Sequence, residues 1–171
     1  MKPQAAIRHA RHDDVPPIID DKCTVLILGS MLSPKSAEQD FYYAHPQNRF
    51  WRVFAAVYGC ECPHDNKQKA ELALSHRTAL WDVLASCDIV GASDSTISNA
   101  VYNDIIGILC THPNITRIYT TGGKAHQLLM RYNKAHNNPI ISNAVRLPST
   151  SPLNCATTLE KLIDAYSVIK T

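Results

Sequence analysis

Cys23-Thr24-Val25-Leu26-Ile27-Leu28 is a continuous apolar run, and Gly29 ends it. Such a run lacks the every-second-residue polarity of a strand with one face in water, so it predicts a strand buried on both faces. Beyond it, residues 29–46 predict a long loop, a feature that in a compact domain is more often functional than not. From Asn48 to Tyr58 the apolar residues Phe50, Trp51, Phe54, Ala55, Val57 and Tyr58 recur at helical spacing, and Gly59 closes the helix. A short helix is expected over 67–74, a second strand over 80–84, a loop over 86–96 carrying Gly91, Asp94 and Ser95, and a helix over 102–110 with Pro113 just beyond. Residues 115–120 are strand-like and run into Gly122-Gly123, 124–132 helical, 140–147 the last strand. The closing helix, 154–169, carries Leu159, Leu162, Ile163 and Tyr166 on one face. Alternating strands and helices predict an α/β fold, a mostly parallel sheet with helices on both faces. Loops at the carboxyl ends of such strands converge, which brings 29–48, 86–96, 120–124 and 147–154 into one cleft.

At 171 residues the chain predicts one domain, residues 21–171, after a weakly structured segment 1–20 in which Pro16 and Pro17 discourage helix. With 45% hydrophobic and 19% charged residues it reads as globular and soluble, which excludes a disordered chain. No apolar run approaches the roughly 20 residues needed to span a bilayer. The polar N-terminus, with His9, Arg11, His12, Asp13 and Asp14, lacks a secretory core, so a cytoplasmic location and no membrane partner are expected. A net charge of +2 neither proves nor opposes nucleic-acid binding. Clustering matters more: Arg49, Arg52, Lys124, Arg131 and Arg146 lie in or beside the candidate loops and helix starts. The six cysteines are scattered. Cys60 and Cys62 match neither zinc nor iron–sulfur spacing, so the set reads as free thiols, mostly small core fillers. The histidines show no metal-ligand spacing, and there is no Walker loop, nucleophile elbow or dinucleotide fingerprint.

Two stretches carry the chemistry. Gly29-Ser30-Met31 with Phe41-Tyr42-Tyr43-Ala44-His45-Pro46-Gln47-Asn48-Arg49-Phe50-Trp51 supplies flat rings, a carboxamide, an imidazole and a guanidinium. Leu147-Pro148-Ser149-Thr150-Ser151-Pro152 supplies two prolines around three hydroxyls. Stacking surfaces beside a stiff hydroxyl-rich loop suit a site that grips a nucleobase and its backbone. Phe50 and Trp51 also read as the helix's core face, whereas a ring from Tyr42 or Tyr43 can stack on an extracted base, worth roughly 1–3 kcal/mol. Asn48, after Pro46 at a helix start, reads as a cap, and its side chain has donors and an acceptor enough to face the cleft as well. The 148–152 loop reads either as a connector that caps the last helix or as a wedge whose hydroxyls and N–H groups hold phosphates. Gly122-Gly123 reads as a turn or as a close approach to phosphate at a helix start.

Taken together, the segments LILGSMLSPKS (26–36), FYYAHPQNRFW (41–51), ALWDVLASCDIVGASDSTI (79–97), IYTTGGKA (118–125) and LPSTSPLN (147–154) resemble the uracil-DNA glycosylase superfamily, most closely its hypoxanthine-DNA glycosylase branch, family 6. The resemblance implies a three-layer α/β/α domain around a short parallel sheet, without cofactor or metal. It implies a monofunctional glycosylase, by default a monomer, that flips deoxyinosine from DNA carrying deaminated bases and releases hypoxanthine. A uracil-preferring enzyme, or a non-catalytic nucleic-acid binder, are the alternatives. Most of the superfamily places its water-positioning Asp or Asn where this chain has Met31, which cannot polarise water. In the hypoxanthine branch that role falls on the Asn of the HPxN segment, here Asn48. The aromatic before Ala-His-Pro stacks on the base, here Tyr43, in a pocket expected to include Gly29, Ser30, Met31 and His45. Pro148, Ser149, Thr150, Ser151 and Pro152 correspond to the DNA-intercalation and phosphate-pinching loop, joined on the DNA side by Gly122 and Lys124. Relatives often carry Asn-Gly where this chain has Thr121-Gly122.

Overall fold

The computed structural model describes residues 6–11, 15–91 and 93–170. In chain order its elements are β1 (Ile7–Arg11), β2 (Val25–Gly29), α1 (Pro34–Glu38), α2 (Phe50–Tyr58), α3 (Asn66–Ser75), β3 (Thr78–Asp82), β4 (Leu84–Val90), β5 (Ser98–Tyr102), α4 (Ile105–Thr111), β6 (Arg117–Thr121), α5 (Gly123–Asn133), α6 (Pro139–Ser142), β7 (Val145–Leu147) and α7 (Leu159–Tyr166). A 3-10 turn, Asp94–Thr96, precedes β5, and another, Ser167–Lys170, follows α7.

The apolar run from Val25 lies in the middle of a four-stranded parallel sheet of order β3-β2-β6-β7, and every residue of β2 is buried. Its side chains alternate between two cores because strand side chains point to opposite faces in turn. Val25 and Ile27 join Leu80 and Tyr119 against Phe50, Phe54, Leu162 and Tyr166 of α2 and α7. Leu26 and Leu28 join Ala79 and Ile118 against Ile105, Leu109, Leu128 and Leu129 of α4 and α5. Helices thus cover both faces, the expected α/β arrangement with a parallel sheet.

Several local expectations are corrected. A second sheet, antiparallel with order β1-β4-β5, packs Leu84, Cys87 and Ile89 into the Leu26 core. The sequence reading placed 86–90 in a loop and 1–20 in a weakly structured lead-in. β4 does alternate polar and apolar residues, Ser86 and Asp88 with Cys87 and Ile89, but β1 pairs with it across some eighty residues of chain, Ile7 opposite Val90, so no local pattern marks that pairing. Residues 1–5 and 12–14 of that lead-in lie outside the described residues, while Ile18 bridges to Leu80. The loop after Gly29 contains α1, capped by the Ser33 side chain on the Ser36 N–H. The expected strand 140–147 divides: Asn138 caps Ile140 and Ile141 with Pro139 at the first turn, and that starts α6. The last helix begins at Leu159 under the Thr158 cap, five residues later than expected. Of the thiols only Cys23 and Cys87 are buried; Cys60, Cys62, Cys110 and Cys155 are exposed, so most are not core fillers. No helix among the described residues is long and apolar enough to cross a membrane.

Candidate active site

The parallel strands β2, β3, β6 and β7 end at the same edge, with Gly29, Asp82, Thr121 and Leu147 as their last residues. The loops leaving that edge enclose a cavity of about 660 Å³. Its wall takes Gly29, Ser30 and Met31 from behind β2, Tyr43, His45 and Asn48 from before α2, Asp82 and Asp94, then Gly122 and Lys124 at the start of α5, and Ser149, Thr150, Ser151, Pro152 and Leu153. All but one of the residues expected at the site therefore meet in one cavity. The exception is Pro148, which is not in the wall and whose carbonyl accepts a hydrogen bond from Tyr166 Oη at 2.8 Å.

Asn48 lines the cavity and stands one residue before the N-cap of α2, which is Arg49 and not Asn48 as expected. Its Oδ1 accepts the Phe50 N–H at 2.9 Å, and its own N–H donates to His45 O at 2.8 Å. This i to i+2 side-chain bond starts α2 and holds the plane of the carboxamide. One lone pair of Oδ1 and both Nδ2 hydrogens remain for a ligand, since among the described residues Nδ2 has no partner. His45 Nδ1 accepts the Gln47 N–H, which leaves Nε2 to carry the proton of the neutral ring.

The two tyrosines divide their labour. Tyr42 is 1% exposed and shares its hydroxyl proton between Pro16 O and Val15 O, so it is a core residue that backs the cavity wall. Phe50 and Trp51 are core as well, and Trp51 Nε1 donates to Tyr42 O. Tyr43 turns the other way. Its φ of 52° lies in the left-handed region, unusual for a bulky residue, and the strain persists because the ring is held at both ends. One ring face stacks on Phe50 at 3.9 Å between centroids, 12° from parallel, and the hydroxyl meets Thr121 Oγ1 at 3.2 Å. Thr121 thus serves to orient Tyr43. Burial pushes the Tyr43 phenol well above its usual range, so it stays protonated.

Two carboxylates that the sequence reading did not assign complete the wall. Asp82, at the end of β3, is buried and lies against Gly29, where an added Cβ would collide with Asp82 Oδ1 and approach Tyr43 Oη at 3.4 Å. Gly29→Ala is therefore expected to cost about 1–3 kcal/mol of stability and to displace Asp82 and Tyr43 together. Urea unfolding and crystallographic positions of the two side chains check this. Asp94 receives the Ser30 hydroxyl on Oδ2 at 2.7 Å. Burial raises the Asp94 carboxyl above the usual carboxylate range, Ser30 opposes that, Asp82 adds to it and Lys124 opposes it. Both aspartates sit in the stretch 79–97. Asp82 has a local signal, a carboxylate directly after the apolar Ala79-Leu80-Trp81; Asp94 has none.

No family model matches the chain. Curated relatives do. The hypoxanthine DNA glycosylase of Methanosarcina acetivorans is 33% identical over 111 residues, 64% of this chain and 70% of the relative. That of Methanosarcina barkeri is 32% identical over the same shares. The chain belongs to the hypoxanthine DNA glycosylase family. The architecture has a solved counterpart. The solution NMR structure of a candidate uracil DNA glycosylase from Methanosarcina acetivorans matches 96% of this chain and 100% of its own, with a TM-score of 0.77 and 24% identity, a likeness that shows the fold.

In this member of the hypoxanthine DNA glycosylase family one arginine binds the two key segments together. The Arg49 N–H donates to Thr150 O at 3.1 Å. Its guanidinium donates to Asn154 O at 2.7 Å, to Ser151 O at 3.3 Å and to Thr157 O. Residues 154–157 take these carbonyl positions where the sequence reading expected helix. Asn154 Nδ2 closes the loop on Ser149 O at 2.8 Å. Within it Ser149 Oγ and Ser151 Oγ accept backbone N–H groups, which leaves their hydroxyl protons to donate outward. Thr150 is 1% exposed and anchors the loop inward. Leu153 is 69% exposed at the rim, an apolar side chain in water that the sequence reading did not single out. Gly122 donates its N–H to Leu147 O, so what it supplies is its φ of 94°, which only glycine adopts without strain, with Ser149 packed 3.2 Å from where a Cβ would stand.

Proposed function

We propose that this chain is a DNA repair glycosylase that takes a deoxyinosine nucleotide out of the duplex into the cavity and hydrolyses its N-glycosidic bond, releasing hypoxanthine and leaving an abasic site. The observation that carries the reading is Asn48: a hydrogen-bonded carboxamide on the cavity wall, one residue from Arg49, which holds the Ser149–Leu153 loop. Cleavage of an N-glycoside passes through an oxocarbenium-like sugar. An amide is not basic enough to deprotonate water, so Asn48 acts by orientation. It holds a water beneath C1′ while the base departs, and the bond from Phe50 N–H removes the rotational freedom that would blur that position. The base lies against the ring of Tyr43, whose other face is already stacked on Phe50.

The DNA backbone meets the Ser149 and Ser151 hydroxyl protons and the start of α5, where Lys124 adds a positive charge to the unpaired N–H groups of the first helical turn. Leu153 presses into the space left by the flipped nucleotide. Leu153→Ala is expected to lower kcat/KM on duplex deoxyinosine about tenfold, with little effect on single-stranded substrate, because unstacking is then no longer assisted. With 69% of the residue in water, its thermal midpoint should stay within about 2 °C of the parent.

The test is an assay with duplexes holding deoxyinosine, deoxyuridine or deoxyxanthosine, read as free base by chromatography and as alkali-labile sites by gel. Release of hypoxanthine, with strand breaks only after alkali, supports the reading. Faster release of another base overturns the lesion assignment. Retention of the deoxyinosine duplex without product overturns catalysis.

A further inference from the structure

Deamination changes the hydrogen-bonding edge of a base in one consistent way. Adenine presents a lone pair at N1 and cytosine one at N3; in hypoxanthine and uracil the same atoms carry a hydrogen beside a carbonyl oxygen. An ionised carboxylate, which only accepts, is complementary to the N–H and repels the lone pair.

Asp94 is such a group in the right place when ionised, the form that the donated Ser30 hydroxyl and the Lys124 charge favour against burial and Asp82. It stands on the 3-10 turn after β4 and lines the cavity that the catalytic reading assigns to the base. The Ser30 hydroxyl, at 2.7 Å on Oδ2, fixes the carboxylate, and among the described residues no other hydrogen bond reaches it. Oδ1 therefore keeps its lone pairs, on a residue that lines the cavity. Lys124 on the same wall is close enough to act on Asp94 electrostatically, and a cation suits the lactam oxygen next to the N–H. We propose that Asp94 is the specificity-determining residue for deaminated bases, accepting the lactam N–H (N1–H of hypoxanthine) while Ser30 acts as its positioning residue. The proposal rests on the glycosylase reading above and extends it to how the product of deamination is told from its parent.

The test compares the full-length protein with Asp94→Asn on duplexes carrying deoxyinosine or deoxynebularine, a purine with a lone pair at N1 and no oxygen. Asn keeps an oxygen for Ser30 but can turn an NH2 toward the base. The expected result is a fall in kcat/KM on deoxyinosine of about 10- to 100-fold, the size of a lost hydrogen bond to a charged group, with deoxynebularine unchanged or faster. Should the variant fold poorly by circular dichroism, the parent protein is assayed on N1-methyldeoxyinosine, which keeps the carbonyl and lacks the N–H; its release should fall at least as far. A folded Asp94→Asn with the parent's preference between the two bases, or equal release of N1-methylhypoxanthine and hypoxanthine by the parent, overturns the proposal alone. Failure of the parent to release hypoxanthine at all overturns the glycosylase reading and this proposal with it.

Discussion

Asn48→Ala is expected to lower release of hypoxanthine from a deoxyinosine duplex by at least about 100-fold while leaving affinity for the duplex nearly unchanged, because an orienting group acts on the transition state more than on ground-state binding. Single-turnover rates beside fluorescence-anisotropy titrations separate the two effects. The alanine also removes the hydrogen bond from Phe50 N–H to Oδ1, and a lost hydrogen bond of this kind costs about 1 kcal/mol. Asn48→Asp distinguishes that hydrogen bond from chemistry. The carboxylate still accepts the Phe50 N–H, so stability should return, and activity reports whether the Nδ2 hydrogens are needed at the reacting centre. Full activity in the alanine variant would remove Asn48 from the mechanism.

Arg49→Ala should be comparably severe by a different route. Three carbonyls of the 151–157 segment lose their donor at once, and each carbonyl left without a partner away from water costs about 1–3 kcal/mol. The loop that carries Ser149, Ser151 and Leu153 then loosens against the segment that carries Asn48. The expected signature is a kcat/KM about 100-fold down, with KM for duplex rising more than kcat falls, since misplaced contacts around the DNA weaken its grip first. Lysine should restore little, because one ammonium cannot fork across three carbonyls as a guanidinium does. Hydrogen exchange confined to 149–157 would place the disorder in the loop; an equal rise throughout the domain would refute the clamp.

The parallel core was legible from composition and spacing. β2, α2 and α7 carry strong local signals, an unbroken apolar run or a helical stripe, and the loops at the strand ends met in a cavity as the topology demands. The small antiparallel sheet was not legible. Ser86 and Asp88 alternate with Cys87 and Ile89, but the stretch runs into Gly91 and Ser93, and one of its two partner strands, β1, lies some eighty residues earlier in the chain. Arg49 shows the same limit at the site. A basic residue at a helix start looks like a contact for phosphate, yet its guanidinium is committed to three backbone carbonyls more than a hundred positions away.

Residue order alone settled the α/β class, the family and the short run of side chains from Tyr42 to Asn48 that the chemistry needs, because those follow from local periodicity and from motifs contiguous along the chain. Folding decided which tyrosine stacks on Phe50 and meets Thr121, that Asn48 both starts α2 and lines the cavity, and that Asp82 and Asp94 share the wall with them. The physical reason is that a side chain's direction depends on backbone torsions such as the positive φ of Tyr43, and its partners depend on which distant strands end beside it. Neither quantity is written within a few residues of the position concerned.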